Sequence, residues 1–204
     1  DDVMNMQRKA TYGLRRQVLE GGPALHDLVL DKVEDVIIGI LDETCRADLP
    51  AAEWKVEEAR QKVREVFGVY VDLVGHTHSR PAMEERIYAE CERVLAAKEK
   101  EFSTDIMRAL EQRLFLQVID QHWKEHLLAM DHLREGIHLR GYGQKDPKQE
   151  YKKEGYNVFT AMMNAFGTDI VRMMFHVQIQ RQEEAAELVA DLERRQREAA
   201  ARQQ

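Results

Sequence analysis

Apolar residues recur at helical spacing along almost the whole chain, and most positions between them are charged or polar. Val3, Met6, Ala10, Leu14 and Val18 fall three or four residues apart, which predicts a helix over 2–20. Gly21-Gly22-Pro23 breaks it. A second stripe, Leu25, Leu28, Val29, Val33, Val36, Ile37, Ile40 and Leu41, predicts a helix that ends near Asp48-Leu49-Pro50. A third amphipathic stretch holds Trp54, Ala59, Val63, Val66 and Phe67, and Gly68 closes it by tolerating the positive φ of a helix end. Val69 to Val74 alternates weakly, as a short extended segment would. His76 to Pro81 reads as a turn, with Pro81 at a first helical position, and a further helix follows over about 82–102.

Two long arms come next. The first spans roughly 103–139, with Met107, Leu110, Leu114, Val118, Leu127, Met130, Leu133 and Ile137 on its stripe. At 1.5 Å per residue it would reach ~55 Å, well beyond an ordinary globular helix. The return arm spans about 149–179 and carries Val158, Phe159, Met162, Phe166, Ile170, Met173, Met174 and Val177. Between them lie Gly141, Tyr142, Gly143, Lys145, Asp146 and Pro147. Glycine permits positive φ, and the residue before proline is pushed out of the helical region, so the first arm stops here. The corner is expected to hold out the ring of Tyr142 between two glycines, ringed by Arg140, Lys145 and Lys148. Turns usually carry Gly, Asn or Ser, so an unsupported aromatic there favours a contact role, as a lever or probe rather than a pocket. From Gln180 to Gln204 the sequence changes to Ala, Glu, Gln and Arg. Only Leu188, Val189 and Leu192 are large and apolar, which suggests a solvated helix or linker whose stripe is too thin to be core.

Composition narrows the class. Charged residues make up 33% and apolar ones 44%, with 4 Pro and 11 Gly, a balance that favours a soluble, helix-rich protein. The net charge of -7 disfavours a general nucleic-acid role, although basic residues cluster between Arg134 and Lys153. Cys45 and Cys91 each sit on an apolar stretch and read as buried, reduced thiols. No apolar run approaches the ~20 residues that span a bilayer, and no signal-peptide pattern opens the chain. Its start, Asp1-Asp2-Val3, lies mid-pattern, as in a segment of a longer protein.

Three groups could carry chemistry. His122, Glu125 and His126 spell H-x-x-E-H, in which two imidazoles four apart share a Zn²⁺ and the glutamate polarises its water. A third ligand would have to come from far downstream, for example Glu193, so packing of His126 beside Trp123, Leu127 and Met130 is the plainer reading. His76 and His78 form a second metal-like pair in a loop without Cys or acidic partners, which favours simple exposure. Met130, Met162, Met163, Met173 and Met174 could form an adaptable apolar surface, but gap-filling between the arms is the stronger expectation.

Several segments together resemble SecA, the motor ATPase of bacterial protein export: Trp123-x-x-His126-Leu127, Met130-Asp131-x-Leu133-Arg134, Ile137-x-Leu139-Arg140-Gly141-Tyr142, Gln144-Lys145-Asp146-Pro147 and Glu150-Tyr151-Lys152. Val3-x-Asn5-x-Gln7-Arg8-Lys9-x-x-Tyr12 is similar to the end of that family's long scaffold helix. The likeness is dense over 103–178, good over 1–20 and loose over 24–102, where Trp54 and Phe67-Gly68 fit the helical wing.

The resemblance implies an all-α scaffold with an inserted wing and an antiparallel two-helix finger. Its parts would be 1–22, the end of the scaffold helix; 23–102, the wing; 103–179, the finger; and 180–204, a C-terminal linker. It further implies that the finger enters the cytoplasmic mouth of the SecY channel. Tyr142, flanked by Arg140, Gly141, Gly143, Lys145 and Lys148, would touch preprotein or channel. Expected partners are the SecY complex, preprotein with its signal sequence, motor domains of the same chain, anionic lipid and, left open, a second copy. ATP and Mg²⁺ would belong to those motor domains. This sequence contains no G-x-x-x-x-G-K-[ST] loop, and two distant cysteines cannot form the family's C-terminal zinc motif, so no cofactor or catalysis is expected here. The leading alternative is a helical adaptor or coiled-coil module without a motor.

Overall fold

Local signals start and stop each helix. Asp1 caps α1 (Asp2–Glu20), its Oδ1 accepting from the backbone N–H of Val3 at 3.1 Å and of Met4 at 3.3 Å. Gly21 and Gly22 take φ of 65° and 75°. That sharp reversal ends α1, and Pro23 opens α2 (Pro23–Thr44). The structure, a computed structural model, describes residues 1–77, 79–140, 146–178 and 182–201, with backbone alone at 138–140, 182, 183 and 199. Among these there are seven α-helices and no strand, the all-α architecture expected.

α2 ends earlier than its apolar stripe suggested. The Thr44 carbonyl accepts from Lys55 N–H at 2.9 Å, so the chain doubles back instead of continuing to Pro50. Trp54 is not on the stripe of α3 (Val56–Phe67); it precedes that helix, and its indole N–H donates to the carbonyls of Arg46 (2.8 Å) and Leu49 (3.2 Å), fastening the turn. Gly68 closes α3 in the left-handed conformation, φ 66°. Val69, Val71 and Leu73 are buried and Tyr70 and Val74 exposed, so the weak alternation is real, but the segment pairs with no strand among the described residues. Ser79 caps α4 (Arg80–Phe102), and Pro81 is its second residue.

Ser103 joins α4 to α5 (Thr104–Arg140) at φ 84°. α5 has 37 residues and pairs antiparallel with α6 (Pro147–His176), which starts from an Asp146 cap. One core runs through all these helices, centred on Ile37, Leu41, Phe67, Met83, Ile87, Leu95, Phe115, Ile119, Phe166 and Ile170. The helices of 23–102 therefore share their interior with α5 and α6. The root of α5 is covered on nearly every side, from Met107 to Ile119. Farther out, among the described side chains of α5, only Trp123, His126, Met130 and Ile137 are buried, a single stripe.

The tail departs from expectation. α7 (Gln182–Ala201) packs on α5 and α1, with Leu188 only 5% exposed and Leu192 against the core. A thin stripe suffices because α1 and α5 already offer a shared apolar face for it. Both cysteines are buried and unpaired, and burial pushes the Cys91 thiol up to about 12.

Candidate force-transmission site

Of the expected fingertip, Gly141, Tyr142, Gly143 and Lys145 lie outside the described residues, and Arg140 is described by its backbone, as the last residue of α5. Lys148 is exposed in the first turn of α6, its backbone N–H donating to Asp146 Oδ1 at 3.0 Å. What the structure does display is how the two arms are held.

A buried polar junction ties α1 to both arms. Gln7, 6% exposed, donates from Nε2 to the carbonyl of Gly155 on α6 at 3.0 Å. Its Oε1 lies 2.7 Å from His126 Nε2 on α5. An amide oxygen only accepts, so His126 carries its proton on Nε2. Thr11 Oγ1 donates to the Gln7 carbonyl at 3.0 Å. The imidazole is enclosed by Trp123 and Phe159, each with its ring centroid 5.5 Å away, and burial holds its pKa below the ordinary histidine value. Close approach of the helices needs Gly155: a Cβ there would lie 3.0 Å from Met130 Cε and 3.3 Å from Val3 Cγ1. One amide thus bridges three helices.

The H-x-x-E-H residues turn to three different partners. His122 meets Asp169 on α6 at 2.8 Å, Glu125 accepts from Gln121, and His126 belongs to the junction. The two imidazoles thus bond to different helices, α6 and α1, and Glu193 pairs with Arg197 on α7. Among the described residues no group of three or more His, Cys, Asp or Glu side chains could hold a metal. His76 lies in a turn, and His78 is outside the described residues.

The methionines divide. Met130, Met162 and Met174 are buried, Met163 packs half-buried on the core, and Met173 is 36% exposed, so gap-filling accounts for most of them. A groove of about 1160 Å³ does run between α1, α5 and α7, but Tyr12, Leu19, Trp123 and Leu127 line it among charged residues, not methionines.

The roots are fastened by groups that the apolar pattern passes over. Gln112 Nε2 donates to the carbonyls of Val18 (3.0 Å) and Leu19 (3.3 Å), closing the end of α1 onto α5. Glu111, fully buried, meets Arg108 at 2.9 Å and His26 of α2 at 2.8 Å. Lys98 of α4 reaches the C-terminal carbonyls of α6. Burial draws its pKa below the ordinary lysine value, against the pull of Glu101. The one available signal was phase: Gln7 and Thr11 share the face of Val3 and Val18, and Glu111-Gln112 interrupts an apolar run.

Comparison with known proteins gives the family of the chain. Residues 1–178 match the SecA wing and scaffold domain. The chain is 42% identical over 195 residues to the protein translocase subunit SecA of Syntrophobacter fumaroxidans, covering 92% of this chain and 23% of that relative. To the same subunit of Myxococcus xanthus it is 40% identical over 220 residues, with 95% and 23% covered. To that of Syntrophus aciditrophicus it is 42% identical over 190 residues, with 92% and 22% covered. The chain therefore spans under a quarter of the length of these curated relatives.

Proposed function

The chain belongs to the SecA family through its wing and scaffold region, and on that premise we propose that it is the transmission element of a protein-export motor. ATP and Mg²⁺ are handled by motor domains outside this segment. Their motion reaches α1 and passes through the Gln7 junction to the α5–α6 pair. That junction is the observation that carries the reading: a buried amide hydrogen-bonded to both arms moves them with α1. The corner of the pair then acts on the polypeptide in the SecY channel. Tyr142 grips chains of varied sequence, because tyrosine offers apolar area, a polar tip and little rotamer entropy. Arg140, Lys145 and Lys148 are its basic neighbours in the sequence and would meet acidic channel loops or anionic headgroups, and Gly141 and Gly143 would belong to the same contact. The protein works on the cytoplasmic side of the inner membrane as a peripheral component; no described helix is long and apolar enough to cross a bilayer.

In the full-length protein, Tyr142→Ala is expected to abolish most preprotein transport into vesicles while basal ATPase and folding stay near wild type. Tyr142→Phe and Tyr142→Trp should retain more transport than Tyr142→Ala. A cysteine placed at 142 should crosslink to stalled preprotein or to the channel. Wild-type transport by Tyr142→Ala, with no crosslink, refutes the fingertip role.

A further inference from the structure

The last carbonyls of a helix lack partners within it, and that end carries partial negative charge. At the end of α6 both needs are met by a side chain of another helix. Lys98 Nζ donates to the carbonyls of Met174 (3.0 Å), Phe175 (2.5 Å) and Val177 (3.1 Å). An ammonium has three protons, so its donor capacity is fully used. The same region of α6 touches α3. Phe67 and Phe175 meet edge to face with centroids 5.1 Å apart, and a Cβ on Gly68 would lie 3.2 Å from His176 Cε1. Aromatic and van der Waals contacts alone let a helix slide or turn by small amounts. Three carbonyls on one cation resist this, because they belong to three residues set at different points around the helix end, and a slide or a turn lengthens at least one of the bonds.

We propose that Lys98 is a positioning residue that latches the return arm to the α2–α4 unit, so that displacement of the wing is carried to the root of the finger. This gives the wing a mechanical role, and it rests on the reading of α5–α6 as a finger.

The test places spin labels at exposed positions, Arg60→Cys on α3 and Ala165→Cys on α6, in the full-length protein; Cys45 and Cys91 of this segment are buried, and any cysteine elsewhere in the protein is replaced by serine. Lys98→Met keeps the stem and removes the donors. It is expected to broaden the label–label distance distribution about twofold and to lower transport per ATP hydrolysed by about tenfold, the loss of a charge-assisted contact. Basal ATPase should change less than about twofold, since no catalytic group is touched. Lys98→Arg, which restores charge and donors in a planar array, should recover part of both. Lys98→Gln decides the matter if Lys98→Met does not fold: two remaining donors should give intermediate broadening. An unchanged distribution in the folded variants overturns the latch. So does a lower melting temperature with ATPase and transport falling in equal proportion, which is what simple packing would produce. Normal transport by Tyr142→Ala would remove the finger reading but leave the label distances to judge Lys98 separately.

Discussion

Truncating Gln7 to alanine is the most direct challenge to the junction. The substitution removes two buried hydrogen bonds and strands one group. The Gly155 carbonyl loses its 3.0 Å donor but, inside α6, still accepts the helical bond from Phe159 N–H, whereas His126 Nε2–H loses its 2.7 Å acceptor outright. His126 Nδ1 already has no hydrogen-bond partner among the described residues, so the ring would then be unsatisfied on both sides. The stranded imidazole costs about 1–3 kcal/mol and the lost bond to an already paired carbonyl adds about 0.5–1 kcal/mol, so the expected loss is about 2–3 kcal/mol. For a chain of this size that is a fall of about 4–12 °C in melting temperature. Met6→Ala, at a neighbouring position 65% exposed, should stay within about 0.5 kcal/mol and serves as the control. Urea unfolding with a Gln7→Leu, His126→Leu double-mutant cycle separates this interaction from general damage. The double variant should be less harmful than the sum of the singles by about 1–2 kcal/mol, because the second change removes the stranded imidazole. Amide exchange should rise first in α1. A Gln7→Ala loss below about 1 kcal/mol, or a coupling of zero, refutes the claim that this amide holds the three helices.

Two further outcomes follow from buried groups elsewhere. Burial among Gln7, Trp123 and Phe159 disfavours the charged form of His126 and draws its pKa down in the fold, while the unfolded chain titrates near the ordinary value of about 6.5. Its stabilising contribution is therefore complete above about pH 6.5 and lost as pH falls below that; the unfolding free energy measured at pH 7.5 and 5.5 should drop less in His126→Gln than in wild type, by up to about 1.4 kcal/mol per pH unit. Deleting residues 182–204 removes the burial of Leu188 and the packing of Leu192 and should cost about 2–4 kcal/mol by urea unfolding; a cost below about 1 kcal/mol would show that α7 does not dock.

The helices were legible because their apolar spacing and their stop signals agree: Gly21-Gly22-Pro23, Gly68 and Asp146-Pro147 all sit at observed boundaries. The faces were read less well. On α1 the pattern selects Met6 and Ala10, which are exposed, and passes over Gln7 and Thr11, which are buried. Hydrophobicity ranks Met6 above Gln7, but the partners of Gln7 lie 119 and 148 residues away, and they determine which side faces inward. Trp54 was read in part. It packs half-buried against the core as its bulk suggests, but it precedes α3, and its N–H is what the turn at Arg46–Leu49 requires. Lys98 had no sequence signature, since its acceptors are backbone carbonyls that any residue supplies. Nor could the sequence say where the helices of 23–102 dock: an amphipathic helix shows that it has an inner face, but not whose interior that face enters.

The way α1 is attached bears on what it can transmit. It is fastened at two heights, at Gln7 to both arms and at the Val18 and Leu19 carbonyls to Gln112 near the root of α5. At 1.5 Å per residue these points are about 17 Å apart. A single attachment would let α1 pivot without turning the arms. Two attachments along its length convert a tilt of α1 into a tilt of α5. The root itself resists, because Met107 to Ile119 is enclosed by α1, α2, α4, α6 and α7 and anchored by Glu111 with Arg108 and His26. Beyond Asp120 the arm is held along one stripe only, so it yields before the root does. Fixed at its base and pushed at its middle, the pair gains displacement toward the corner. On the reading proposed above, that places the largest displacement where Tyr142 is proposed to act, rather than nearer the core.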